Sequence, residues 1–253
     1  MEKIFAFFKI EFKSLLREPV SIFFMVVLPI ILTIVFGGAF GDEPTQYGEN
    51  VLGIDTVVPV NIVFLLANAG LMGIPITVLE LRDQGVLKRY STYPIKLKTY
   101  FTSLILTFAI VSVLSTFLFL SLSIMVYGAS IYMNLFDILI FIVIYIIIIY
   151  IFYSIGFLIA LLIKSARTAN LVSSGFFMGL LFTSGVVLPL DSLPAYVQKG
   201  AKVFPMSHSI EVVQMLWISE LSWDESGNQL IYLFTLCIVL LILLRSVRLK
   251  WDM

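Results

Sequence analysis

Apolar residues fall in six long runs along this chain, at 20–40, 60–79, 101–127, 136–163, 169–188 and 230–244, with almost no charge inside them. These runs are apolar all round, unlike the one-sided stripe of a helix on a soluble core. About twenty such residues carry a helix across a ~30 Å hydrocarbon layer. The pattern predicts an all-α integral membrane protein with six transmembrane helices. The third and fourth runs exceed the needed length and predict tilt or projection beyond the bilayer. The last is short and predicts an extra turn at each end. The first is too long for a cleaved signal, whose apolar core spans about 7–15 residues.

Three segments break this pattern. In 1–19, Ile4, Phe5, Phe8, Phe12, Leu15 and Leu16 recur at helical spacing, with Lys3, Lys9, Lys13 and Arg17 between them. That predicts an interfacial helix, with aromatics toward lipid and Lys9, Lys13 and Arg17 toward headgroups or a docking partner; the plainer reading is an orientation signal alone. Segment 80–100 is too charged for the bilayer and too long for a tight turn, and predicts a short helix across the membrane surface. Its mixed charges, interleaved with leucine and tyrosine, suit a protein partner better than bare lipid, which favours uniform basic charge. Segment 189–228 predicts two short helices, one beginning near Pro194 and stopped by Pro205, the next capped by Ser207 with Glu211 in its first turn. Each is too short to span, so the pair reads as re-entrant, dipping into the outer leaflet; two surface helices are the alternative.

Charge fixes an orientation. Of the sixteen Lys and Arg, all but Lys199 and Lys202 lie before the first run, in 80–100, in 164–168 or after the last run. Short basic segments stay cytoplasmic, which predicts both termini on the cytoplasmic side; the membrane expected is the cell (inner) membrane. The opposite loops are acidic, with Asp42, Glu43, Glu49 and Asp55 in the first. Composition agrees: 60% of the 253 residues are apolar and 13% charged, against about 25% charged in a soluble domain. The whole of 1–253 reads as one membrane domain.

Candidate chemistry is sparse. One cysteine and one histidine, Cys237 and His208, exclude an internal disulfide and a metal cluster, and His208 reads as a capping residue. Asn68 and Asn170 are the amides within spans, and Ser112, Ser115, Thr116 and Ser123 are hydroxyls expected mostly to bond their own helix. No carboxylate lies deep in a span, which argues against an ion-coupled secondary transporter or channel, the main alternative, and against a membrane enzyme. In the fifth run Ser173, Gly175, Gly179 and Thr183 form a small-residue packing face, turned either to a second subunit or to a helix of its own.

The chain resembles a permease subunit of the type-2 ATP-binding-cassette exporters, the superfamily exporting drugs, lipids and lipid-linked polysaccharide. The resemblance lies in the basic leader ending Arg17-Glu18-Pro19, in Phe36-Gly37-Gly38, in the loop from Glu80 to Pro94, and in Ser184-Gly185 through Pro189 to Pro194, followed by Phe204-Pro205 to Glu211. It implies a permease moving an amphipathic or hydrophobic cargo outward, paired with a second, identical permease, driven by a cytoplasmic ATPase subunit that holds ATP and Mg. The chain has no phosphate loop of its own and is expected to be neither an enzyme nor a cofactor binder. By this resemblance Glu80, Arg82, Asp83, Gly85, Leu87, Lys88, Arg89 and Pro94 form the ATPase-coupling loop. Pro189, Pro194, Pro205, His208 and Glu211 belong to the outer gate.

Overall fold

The computed structural model describes residues 2–45, 47–92, 96–186 and 194–246. Helix α1 (Glu2–Leu15) precedes a first long rod made of α2 (Pro19–Ile22), a π-helical turn (Phe23–Val27) and α3 (Leu28–Phe40). Pro19 separates α1 from the rod by opening it, where a missing N–H costs nothing. A hairpin that the sequence did not announce, β1 (Pro44–Thr45) and β2 (Gly48–Leu52), leads into the second rod: α4 (Gly53–Asn68), a π turn (Ala69–Gly73) and α5 (Ile74–Asp83). Then follow α6 (Val86–Ser91), α7 (Leu97–Tyr127), α8 (Leu135–Leu162), α9 (Ala166–Thr183), α10 (Ala195–Ala201), α11 (Pro205–Trp217) and α12 (Trp223–Ser246).

Among the described residues five stretches are long and apolar enough to cross a membrane: Phe23–Phe40, Gly53–Asp83, Leu97–Tyr127, Leu135–Leu162 and Ser226–Ser246. Helix α9 falls short of that standard, because Arg167, Asn170, Ser173 and Ser174 dilute its apolar content. The second rod starts at Gly53 rather than near 60 because Asp55 is not a loop residue. It is buried, and its carboxylate accepts hydrogen bonds from the Leu52 N–H (3.0 Å), the Ser130 N–H (2.8 Å) and the Tyr132 hydroxyl (3.1 Å). A carboxylate satisfied this fully is tolerated inside a packed helix start.

The second rod is the central post, with α3, α7, α8, α9 and α11 packed around it. Its sequence explains that position, since Asn61, Asn68, Gly70 and Gly73 turn from lipid toward neighbours. Pro29 in the first rod has no N–H, so it leaves carbonyls one turn back without a helical donor. Side chains from neighbouring rods supply the donors: Asn68 Nδ2 to the Phe24 carbonyl (2.8 Å) and Ser115 Oγ to the Met25 carbonyl (2.5 Å). Asn61 Nδ2 adds a bond to the Pro29 carbonyl (2.8 Å). The π turn of the second rod packs on α8, where a Cβ built on Gly156 would collide with the Gly70 carbonyl oxygen.

The hydroxyls of α7 divide. Of the four named from the sequence, only Ser123 bonds its own helix as expected; Ser103 and Thr107 do so too. Ser112 meets the Tyr153 hydroxyl at 2.8 Å and Thr116 the Tyr145 hydroxyl at 3.0 Å, so with Ser115 they bridge helices instead. The partner is what decides: buried tyrosines of α8 offer hydroxyls to Ser112 and Thr116, and the Met25 carbonyl of the first rod takes Ser115.

Candidate functional site

A partly open cavity of about 670 Å³ lies between the first rod, the second rod and α9. Its wall is graded. Glu18, Ser21, Thr77, Glu80, Asn170 and Ser174 line one end. Phe24, Asn68 and Phe177 lie midway, and Leu32, Phe36, Phe64, Leu181 and Val186 line the other end. The grading follows from chain direction: the first rod and α9 run from the polar end to the apolar end, and the second rod runs back. Residues of both π turns, Phe23–Val27 and Ala69–Gly73, line the cavity, and Asn68, just before the second, bonds the Phe24 carbonyl in the first. Such turns interrupt a regular helix and often sit at functional positions.

Sequence reasoning singled out Asn68 and Asn170 as polar groups within spans but did not assemble the cavity. Phe24, Phe64 and Phe177 carried no periodic signal of their own, because lipid-facing and cavity-facing positions look alike in an apolar run, and Glu18 stood out only as part of Arg17-Glu18-Pro19.

Next to the polar end lies segment 80–92. Helix α5 runs to Asp83, Gly85 takes φ +71°, and α6 follows, so the short surface helix expected in this segment is present. Its residues take different parts. Lys88 and Arg89 are exposed, as is Glu80 at the cavity mouth. Leu87 is 4% exposed and anchors α6 to the bundle rather than offering itself to a partner. Arg82 Nη1 donates to the Ile163 carbonyl (3.3 Å), and Asp83 Oδ2 accepts from the Ala166 N–H (3.2 Å). These two therefore hold the α8–α9 connection, a structural task the sequence did not reveal. Pro94 lies outside the described residues.

Helix α1 packs along α7 and joins this surface through aromatic rings. Phe7 meets Tyr90 of α6 edge-on at 5.5 Å and Tyr100 of α7 at 5.9 Å, and Tyr90 and Tyr100 are 5.2 Å apart. Lys9, Lys13 and Arg17 lie exposed, as does Phe5, while Glu11 and Leu15 are buried. Burial pushes the Glu11 carboxyl above its ordinary range, offset in part by the Tyr100 hydroxyl. Burial, and then the Glu11 charge, also raise the Tyr90 hydroxyl.

At the far end α11 is inserted among α4, α8 and α12. Pro205 is its first residue, with Phe204 as cap, and Ser207 lies within the helix donating to the Ala201 carbonyl (3.0 Å). The expected Ser207 cap is thus corrected: proline fits the first helical position, which moves the start three residues earlier. Glu211 consequently falls in the second turn, where it accepts from Gln229 Nε2 (2.8 Å). His208 Nε2 donates to the carbonyl of Lys202, which ends α10 (2.8 Å), and its ring lies 4.1 Å from that of Tyr232. That is a capping contact, made to the preceding helix. His208 and Glu211 line a smaller polar pocket of about 370 Å³. Pro194 caps α10 and is exposed; Pro189 lies outside the described residues.

The expected α9 face is split by geometry. Ser173 is fully buried, and the Thr183 hydroxyl bonds the Gly179 carbonyl of its own helix (2.8 Å). Gly175 and Gly179 face open space, with no atom within 4 Å of a Cβ built on either. No cluster of His, Cys, Asp or Glu able to hold a metal occurs among the described residues.

The sequence profile of a family described as ABC-2 type transporter matches residues 2–218. No curated protein matches the chain.

Proposed function

The chain belongs to the ABC-2 type transporter family, and from that premise we propose that it is the transmembrane half of an ATP-driven exporter of amphipathic or hydrophobic cargo. In this reading α9 crosses the bilayer beside the five longer rods, giving six spans. The basic end, with segment 80–98 and both termini, faces the cytoplasm across the cell (inner) membrane. Helices α10 and α11 form a re-entrant pair on the outer side; the burial of α11 among three rods favours this over a surface position.

The observation that carries the reading is the cavity between the first rod, the second rod and α9. Its volume falls in the 300–1,000 Å³ range of small-molecule sites, and it reaches from the coupling segment toward the outer end. A second, identical chain set against Gly175 and Gly179 would close its open side, since small residues let helices approach closely.

The drive surface suits a separate ATPase. Lys88 and Arg89 project while Leu87 anchors the helix behind them. A push on α6 is carried through Tyr90 to α1 and the start of α7, and through α5 to the π turn that borders the cavity. ATP and Mg are held by the partner ATPase, and this chain supplies the coupling lever and the path.

Arg89→Glu in the permease–ATPase complex tests the reading. The expected result is cargo-stimulated ATP hydrolysis lowered about tenfold, the effect of ~1.4 kcal/mol lost at a reversed charge contact, with the permease still folded. Unchanged stimulation, or transport by the purified chain without any ATPase, would favour an ion-coupled carrier instead.

A further inference from the structure

We propose that the cavity between the first rod, the second rod and α9 selects cargo by charge, accepting amphiphiles whose polar end is cationic. The inference rests on the exporter reading above and narrows its cargo. Two carboxylates, Glu18 and Glu80, stand at the polar end of the cavity, close enough to repel one another. No lysine, arginine or histidine lines the cavity among the described residues. The remaining polar lining is neutral: the amides of Asn68 and Asn170 and the hydroxyls of Ser21, Thr77 and Ser174.

A cationic group entering this end relieves the repulsion between the carboxylates and meets two charge-assisted acceptors. A phosphate or sulfate meets the same pair as like charge, with no cation in the lining to offset it. Low-dielectric walls strengthen both effects relative to water. The apolar end, lined by Leu32, Phe36, Phe64 and Leu181, takes the hydrophobic body of the same molecule. The two ends lie far apart along the rod, about 27 Å from Glu18 to Phe36 at a rise of ~1.5 Å per residue, so charge and tail are read at separate places. By this reading a lipid-linked glycan, joined through phosphate, is poor cargo, and an amine-bearing apolar compound is good cargo.

The test uses the purified full chain in phosphatidylcholine nanodiscs, with empty discs subtracted. Three probes share one apolar body: a tertiary amine protonated at neutral pH, an uncharged hydroxyl analogue and a sulfonate. Binding is followed by tryptophan and probe fluorescence. The amine should bind about tenfold more tightly than the hydroxyl analogue, the size one favourable partly screened charge contact gives, and the sulfonate more weakly than either. High salt should shrink the difference. Glu18→Gln should reduce amine binding and leave the hydroxyl analogue unchanged, Glu18→Asp should retain the preference, and Glu18→Gln with Glu80→Gln should abolish it. Equal binding of all three probes to the unmodified chain would overturn charge selection while leaving an amphiphile cavity standing. Failure of every probe to bind would overturn the cavity reading as well. The comparison within the unmodified chain decides the matter even where a variant does not fold.

Discussion

Gly156 and Gly70 show how much a single atom decides here. A methyl group on Gly156 would overlap the Gly70 carbonyl oxygen, and one on Gly70 would lie 2.6–2.8 Å from Phe152. Gly156→Ala should therefore force apart the central post and α8, costing about 1–3 kcal/mol, the range for an overpacked core. A lowered unfolding midpoint in detergent is the check, and an unchanged one would show that the two rods can slide. Asp55 makes a similar case with polar chemistry. Replacing it by Ala removes the acceptor shared by the Leu52 N–H, the Ser130 N–H and the Tyr132 hydroxyl, for about 1–3 kcal/mol across this part-buried network. Asp55→Asn keeps one acceptor and should cost less. A cysteine at position 55 is buried and should react poorly with any aqueous reagent, so exposed Asp42 is the better reporter of that loop.

At the level of elements, α1 is the piece most open to pH. Its Glu11 carboxyl has an ordinary value of 4.5 when exposed and is raised by burial when α1 docks. Below 4.5 the carboxyl is neutral in both states and burial is least opposed. As pH rises through the raised value the docked carboxyl must ionise, so docking weakens. Glu11→Gln removes that dependence and should dock α1 more firmly at neutral pH. Amide hydrogen exchange over Glu2–Leu15, corrected for intrinsic rates, should slow in the variant at pH 7.5 and match the unmodified chain near pH 4. Faster exchange at pH 7.5 would mean that the ionised carboxylate has a favourable partner. Asp83→Ala acts on another element: it frees the Ala166 N–H and should speed exchange at the start of α9, without touching exposed Arg89.

For the whole molecule the question is what covers the open side of the cavity. Gly175 and Gly179 offer nothing to hold a helix of the same chain. Cysteine at Gly179 should thus form a disulfide between two chains in native membranes, seen as a dimer band that reductant removes. A variant with cysteine at Phe177, which is buried, should not. A monomer band from both would leave the cavity facing lipid. Sidedness is checked in the same membranes: a cysteine at Gln84 should be shielded from impermeant reagent added outside, and one at Ser222 should react. Both positions are exposed in the fold, so silence cannot come from burial.

Much of this was written into the order of the residues. Runs of apolar side chains some twenty residues long have one low-energy state in a bilayer, a helix with its backbone bonds closed on itself. The charged, leucine- and tyrosine-bearing segment after the second run predicted the short helix that α6 supplies, while the left-handed turn at Gly85 that starts it came from the structure. What the order of residues did not decide is who faces whom. An apolar residue reads the same against lipid, a neighbouring rod or a cavity, so the cavity and its graded wall came only from the packing. The buried carboxylates of Asp55 and Glu11 were invisible for a related reason: their donors and covers lie far along the chain and are brought close only by the fold. Proline placement was legible, but its consequence was not. The carbonyls that Pro29 leaves without a donor could be known to need partners, yet only the assembled bundle shows Asn68 and Ser115 reaching them.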